Sequence, residues 1–225
     1  MRRLIAISVV VFGLTVSIEA APSSHFSTVP GTQFVWQLSQ TNGDWLLSFL
    51  GNSSQIDSSS PADASLLADY VNLPAMVLAD LQDQGTFFTA TLTPTGPLTI
   101  VSDTGEGVVL TASLASRSSL FIGTNYVAYS NIADDLDITA HVPGYSSVID
   151  AMVAGEAGGL PIDISFSGDA AGGVDLVSAL RATGGLNQLT GTSLSGQITA
   201  IPAPGAMLLA GIGALAAAFL RRRTL

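Results

Sequence analysis

The chain has 225 residues, with 17 acidic side chains against seven basic ones, no cysteine, two histidines and a net charge of −10. Such an acidic chain repels phosphate, so nucleic acid and anionic lipid are excluded as partners of its folded part. Without thiols there are no disulfides and no thiolate zinc sites, and His25 and His141 are too few for a histidine-rich metal centre.

The first element reads as an export leader. Arg2 and Arg3 precede an apolar run over 4–16, and small residues follow at the expected cut, the order of a secretory signal peptide. We expect residues 1–20 to be removed, since cleavage one position later would leave Pro22 at the mature N-terminus. The next 180 or so residues, 21–200, make one domain able to bury its own core. All the acidic residues except Glu19 fall in it, against Arg117 and Arg181 as its only arginines, and the chain has no lysine.

Along that domain, 21–32 is a Ser/Pro-rich lead with little periodicity. Phe34, Trp36 and Leu38 then alternate with polar residues, Asn42-Gly43 follows, and Trp45, Leu47 and Phe49 alternate again. Period-two alternation around Asn-Gly predicts a hairpin, because that pair accepts positive φ. Its aromatic face reads as a core face, with a sugar-stacking platform as the alternative. Residues 51–61 look like a polar loop, and 65–71 like one or two helical turns ended before Pro74. Strands are expected at 76–81, 86–93, 98–101, 108–114, 120–122 and 126–129, separated by Gly/Pro/Asp turns. That spacing indicates a β-sandwich or a related antiparallel fold.

One stretch departs from it. Over 145–157, Val148, Ile149, Met152 and Val153 fall at helical spacing, Ser146 or Ser147 can cap, and Gly158-Gly159 with Pro161 ends the helix. Strands resume at 162–167 and 192–200, while 174–181 is ambiguous. Catalytic signals are scarce: the GTSLS at 191–195 lacks the second glycine of a nucleophile elbow, and His141 has no serine assigned to it by sequence. Asp134, Asp135 and Asp137, with Asn131 before them, offer the oxygen ligands calcium prefers, but the spacing is not that of an EF-hand and a solvated acidic turn is the commoner explanation.

The tail, 201–225, has a different character. Residues 201–220 carry no charge and three arginines follow, so as a helix this stretch is long enough to span a bilayer with its basic end in the cytoplasm. The order of Pro202, Ala203 and Pro204, a short apolar helix, and Arg221, Arg222 and Arg223 resembles the PEP-CTERM sorting signal of bacterial exosortase substrates, with Ala203 where the family has glutamate. The resemblance implies export, transient anchoring in the inner membrane, processing by an exosortase, and delivery to the cell surface or an extracellular, biofilm-type matrix containing exopolysaccharide. It implies no enzymatic activity.

The sequence thus leads us to expect a signal peptide (1–20), a mainly-β, sandwich-like antiparallel domain with one packed helix (21–200), and a sorting segment with a transmembrane helix (201–225). We expect a structural or adhesive surface protein and no enzyme, without a cofactor unless calcium binds. A secreted polysaccharide hydrolase or a carbohydrate-binding module are the alternatives.

Overall fold

A computed structural model describes residues 21–41, 43–115, 118–130, 136–182 and 188–201. In chain order these form β1 (Ser23–Thr28), β2 (Trp36–Thr41), β3 (Asp44–Phe49), β4 (Ser54–Ser60), β5 (Tyr70–Asn72), β6 (Met76–Asp83), β7 (Phe88–Pro94) and β8 (Leu98–Val101). There follow β9 (Val108–Leu114), β10 (Ser118–Ile122), β11 (Tyr126–Ser130), β12 (Leu136–His141), helix α1 (Ser147–Ala157), β13 (Ile162–Asp169), helix α2 (Leu176–Arg181), β14 (Gln188–Gly191) and β15 (Ser195–Ala200). Every pairing is antiparallel, so the mainly-β expectation holds.

The strands do not stack as two separate sheets. They pair as one continuous sheet in the order β12-β9-β8-β5-β4-β1-β15-β13-β11-β10-β7-β6-β3-β2-β14, and β12 also pairs with β13 at Leu136↔Ile162. That pairing closes an eight-stranded barrel from β12 round to β13. The other strands run on from β13, and β14 returns to the end of β13 through an isolated Ala170↔Gly191 bridge and the Thr192 N–H to Asp169 O bond of 3.0 Å. The expected sandwich is therefore replaced by closure. The physical reason is β13, long enough that one of its edges takes β12 at Ile162 and β11 over Ser165 to Asp169. Closure also satisfies edges that an open sheet would leave unpaired.

β13 shows how the core is built. Ile162, Ile164 and Phe166 alternate inward, facing Ala200, Ile198 and Gly196 of β15, and all the buried apolar residues form one cluster. Phe166 stacks on Tyr129 with ring centroids 4.8 Å apart and meets Phe49 edge-on at 5.4 Å. Trp36 is only 1 % exposed and donates its indole N–H to Ser193 O at 3.1 Å. Its ring lies so close over Gly168 and Gly191 that a Cβ at either would overlap it, which explains glycine in two strand positions.

The hairpin forms as expected, with Thr41 opposite Asp44 and Gly43 at φ +92°. Helix α1 also appears, capped by Ser146, whose hydroxyl accepts from Val148 N and Ile149 N. Other expectations fail. The lead and the polar loop are the paired strands β1 and β4. The helical turns expected at 65–71 do not continue: Ala68 at φ +72° turns the chain, and Ala68 N–H to Ile56 O and Ile56 N–H to Asp69 O, both 2.9 Å, tie it to β4. The ambiguous segment is a second helix, α2.

Candidate functional site

Both ends of the folded unit emerge together. In the β1–β15 ladder Ser23 lies opposite Thr199, so the chain entering at Pro22 and the chain leaving at Ile201 run side by side. Ala200 N–H donates to Pro22 O at 3.0 Å and Ile201 N–H to Pro161 O at 2.8 Å. β15 sits between β1 and β13 and is hydrogen-bonded on both edges. A pull on Ile201 along β15 therefore loads two ladders lengthwise, and their bonds, which run across the strands, must yield together.

A second polar centre surrounds the start of α1. Asp63 accepts from Ser147 N at 2.7 Å, Ser147 Oγ at 2.9 Å, Ser146 Oγ at 3.0 Å, Ser65 N at 3.0 Å and Ser65 Oγ at 2.6 Å. Burial alone would raise this carboxyl, but the bonds from Ser65, Ser147 and Ser146 outweigh it and hold Asp63 well below the usual carboxylate range. It thus places a negative charge at a helix N-terminus. Asp69 is completely buried, accepts Tyr145 O–H at 2.9 Å and Asp103 N–H at 3.1 Å, and is pushed up by that burial despite these bonds. Burial likewise raises the Tyr145 phenol, reinforced by the neighbouring Asp69 and Glu106 charges against the Ser102 hydrogen bond. Beside them opens a cleft of about 520 Å³ with Asp103, Thr104, Glu106 and Tyr145 in its lining. Asp63 and Asp69 are occupied in holding loop to helix, so their chemistry here is structural.

The residues singled out by sequence are distributed as follows. Pro202, Ala203, Pro204, Arg221, Arg222 and Arg223 lie outside the described residues, as do the leader 1–20 and Asn131, Asp134 and Asp135. Asp137 is exposed on β12 opposite Ser113. Among the described residues no group of three His, Asp or Glu could hold a metal, and no helix is long and apolar enough to cross a membrane. His141 Nε2 lies 3.7 Å from Asp150 Oδ1, which also receives Gly144 N–H, so it braces the turn before α1. Trp36 is buried and Trp45 packs partly buried against the core, so these two do not form an exposed stacking pair. Asp63, Asp69 and Tyr145 carried no signal in the sequence, because their partners lie up to 84 positions away.

The molecule is a cysteine-free, acidic β-domain whose last strand runs directly to the C-terminal segment. Residues 200–223 match the PEP-CTERM protein-sorting motif. That motif implies an exported protein processed by an exosortase and sorted to the cell surface. No curated protein and no solved structure matches the chain.

Proposed function

We propose that the folded unit is a structural or adhesive component of the cell surface or of an extracellular, exopolysaccharide-containing matrix, and that it is not a turnover catalyst. Residues 1–20 direct export, the apolar tail holds the chain briefly in the inner membrane, and cleavage near Pro202 and Pro204 releases it. The observation that carries this reading is the join between domain and tail. The motif begins at residue 200, the last residue of β15, so load arriving at Ile201 enters a strand paired on both edges. Intact mass and cell fractionation test it, comparing the wild type with Pro204→Ala and with Arg221, Arg222 and Arg223 all changed to alanine. We expect a wild-type form lacking the mass of the apolar tail in the surface or matrix fraction, and both variants retained uncut in the inner membrane. An uncut wild-type chain resident in the inner membrane would overturn the reading.

A further inference from the structure

The outer face of the β4-β1-β15 ladders brings together three residues that no motif connects. His25 and Ser27 point outward from β1, alternating with buried Ser24 and Phe26. Ser195 lies directly opposite Ser27, one diagonal step from His25. On the other side the β1–β4 register shifts between His25 and Phe26, so that Phe26 faces Ile56 and His25 faces Ser58, leaving Asp57 as the bulged residue. Bulges redirect side chains. Here the result is His25 Nδ1 at 2.7 Å from Asp57 Oδ1, and Ser195 Oγ at 3.1 Å from His25 Nε2.

We propose that Ser195, His25 and Asp57 form a nucleophilic relay in which Ser195 accepts an acyl group from an ester of a short-chain acid. Its geometry assigns each role: the hydroxyl donates to Nε2, the imidazole donates from Nδ1, and the carboxylate fixes that tautomer. Asp57 is itself held by Ser27 Oγ at 2.7 Å and Ser58 Oγ at 3.2 Å. Burial would lift its carboxyl, but the hydrogen bonds from Ser27, His25 and Ser58 keep it below its ordinary value. A groove of about 360 Å³ opens at the Asp57 end of the relay, lined by Ser27, Pro30, Gln55, Asp57, Leu67 and Ala68, while Ser195 and His25 lie outside its lining.

The step balances without a further reagent. Ser195 Oγ attacks the ester carbonyl carbon as its proton passes to His25 Nε2. The bond from that carbon to the alkoxy oxygen breaks, and the alkoxide leaves as the alcohol with the proton from His25. Ser195 is left acylated. The neighbouring Leu194 N–H is committed to Thr28 Oγ1 at 2.7 Å and supplies no oxyanion support, so Ser195 acts as an acyl acceptor and not as a fast esterase. This inference is independent of the matrix role proposed above.

The full chain, incubated with p-nitrophenyl acetate and read by intact mass and peptide mapping, tests it. We expect one acetyl group on Ser195, none there in Ser195→Ala, and acetylation slowed about 100-fold in His25→Gln and at least tenfold in Asp57→Asn, with melting temperatures unchanged. Ser27 and Ser58 bond Asp57 and not the imidazole, so within the wild type they are internal controls that need no variant to fold. Acetyl on either at the level of Ser195, or His25→Gln reacting as fast as the wild type, would overturn the relay.

Discussion

At the scale of single residues, two carboxylates close to each other in the fold respond to pH with opposite signs. Asp63 has its pKa depressed below the ordinary aspartate value, so the stability it adds is complete above the unfolded pKa and is lost as pH falls toward the folded value. Asp69 has its pKa raised by burial, so its contribution is fully present below the unfolded pKa and fades as pH rises through the folded one. Asp63→Asn should therefore cost roughly 2 kcal/mol at pH 7, the scale of hydrogen bonds to a charged group. The gap to the wild type should shrink as the pH drops below about 4, because the unfolded chain's carboxylate takes up a proton there while the native one, held low by its hydrogen bonds, stays ionised. Thermal melts of the two proteins across pH check this, and a gap that widens in acid would refute the assignment. Neither role could be read locally: Asp63 sits between the expected polar loop and the expected helical turns, and only the fold brings Ser146 and Ser147 to it.

At the scale of elements, α2 shows how few cations this acidic domain has and how one of them is used. Its N-cap is Asp175, which accepts from Ser178 N at 3.0 Å and Ser178 Oγ at 2.6 Å. Those bonds depress its carboxyl. At its other end Arg181 grips Asp83 through two bonds of 2.7 and 2.6 Å, also donates to Gly85 O, and lies 5.8 Å over the Phe88 ring. The Arg181 bonds lower Asp83 to about 2. One guanidinium thus ties α2 to the β6–β7 turn. Arg181→Ala should leave the strands in place but speed hydrogen exchange in the turn between Asp83 and Phe88 and in α2, as measured by mass spectrometry. Equal exchange in both proteins would show the clamp to be incidental, as many exposed ion pairs are. In the sequence this segment was ambiguous, since six residues span under two turns, too few for the i, i+3, i+4 spacing of Leu176, Ala179 and Leu180 to stand out as helical. The paired strands β1 and β4 were hidden for a related reason: SSHFST and SQIDSSS carry one large apolar residue each, Phe26 and Ile56. Their neighbours on both sides hold them in the sheet.

At the scale of the whole molecule, closure depends on narrow seams. Among the described residues the barrel closes at one pair, Leu136↔Ile162, and the remaining strands return to β13 through the Ala170↔Gly191 bridge, whereas β13 and β15 pair over six positions. Local opening follows the number of bonds that must break. The Thr192 amide, which donates to Asp169 O at the seam, should exchange faster than the amides in the middle of β15. Comparable protection at both would mean that the seams open only with the whole fold. The sequence by itself determined what depends on local pattern: the charged and apolar order of the two ends, the Asn-Gly hairpin, the Ser146-capped helix, and the run of strands from Met76 to Tyr129, where β-branched alternation and turn residues coincide. The tertiary structure alone decided closure over a sandwich, the strand identity of the polar segments, the burial of Trp36 against two glycines, and the meeting of Ser195, His25 and Asp57. Each of these depends on register between strands as much as 170 positions apart. A one-residue bulge in β4, invisible in its serine-rich sequence, turns Asp57 toward the imidazole of His25.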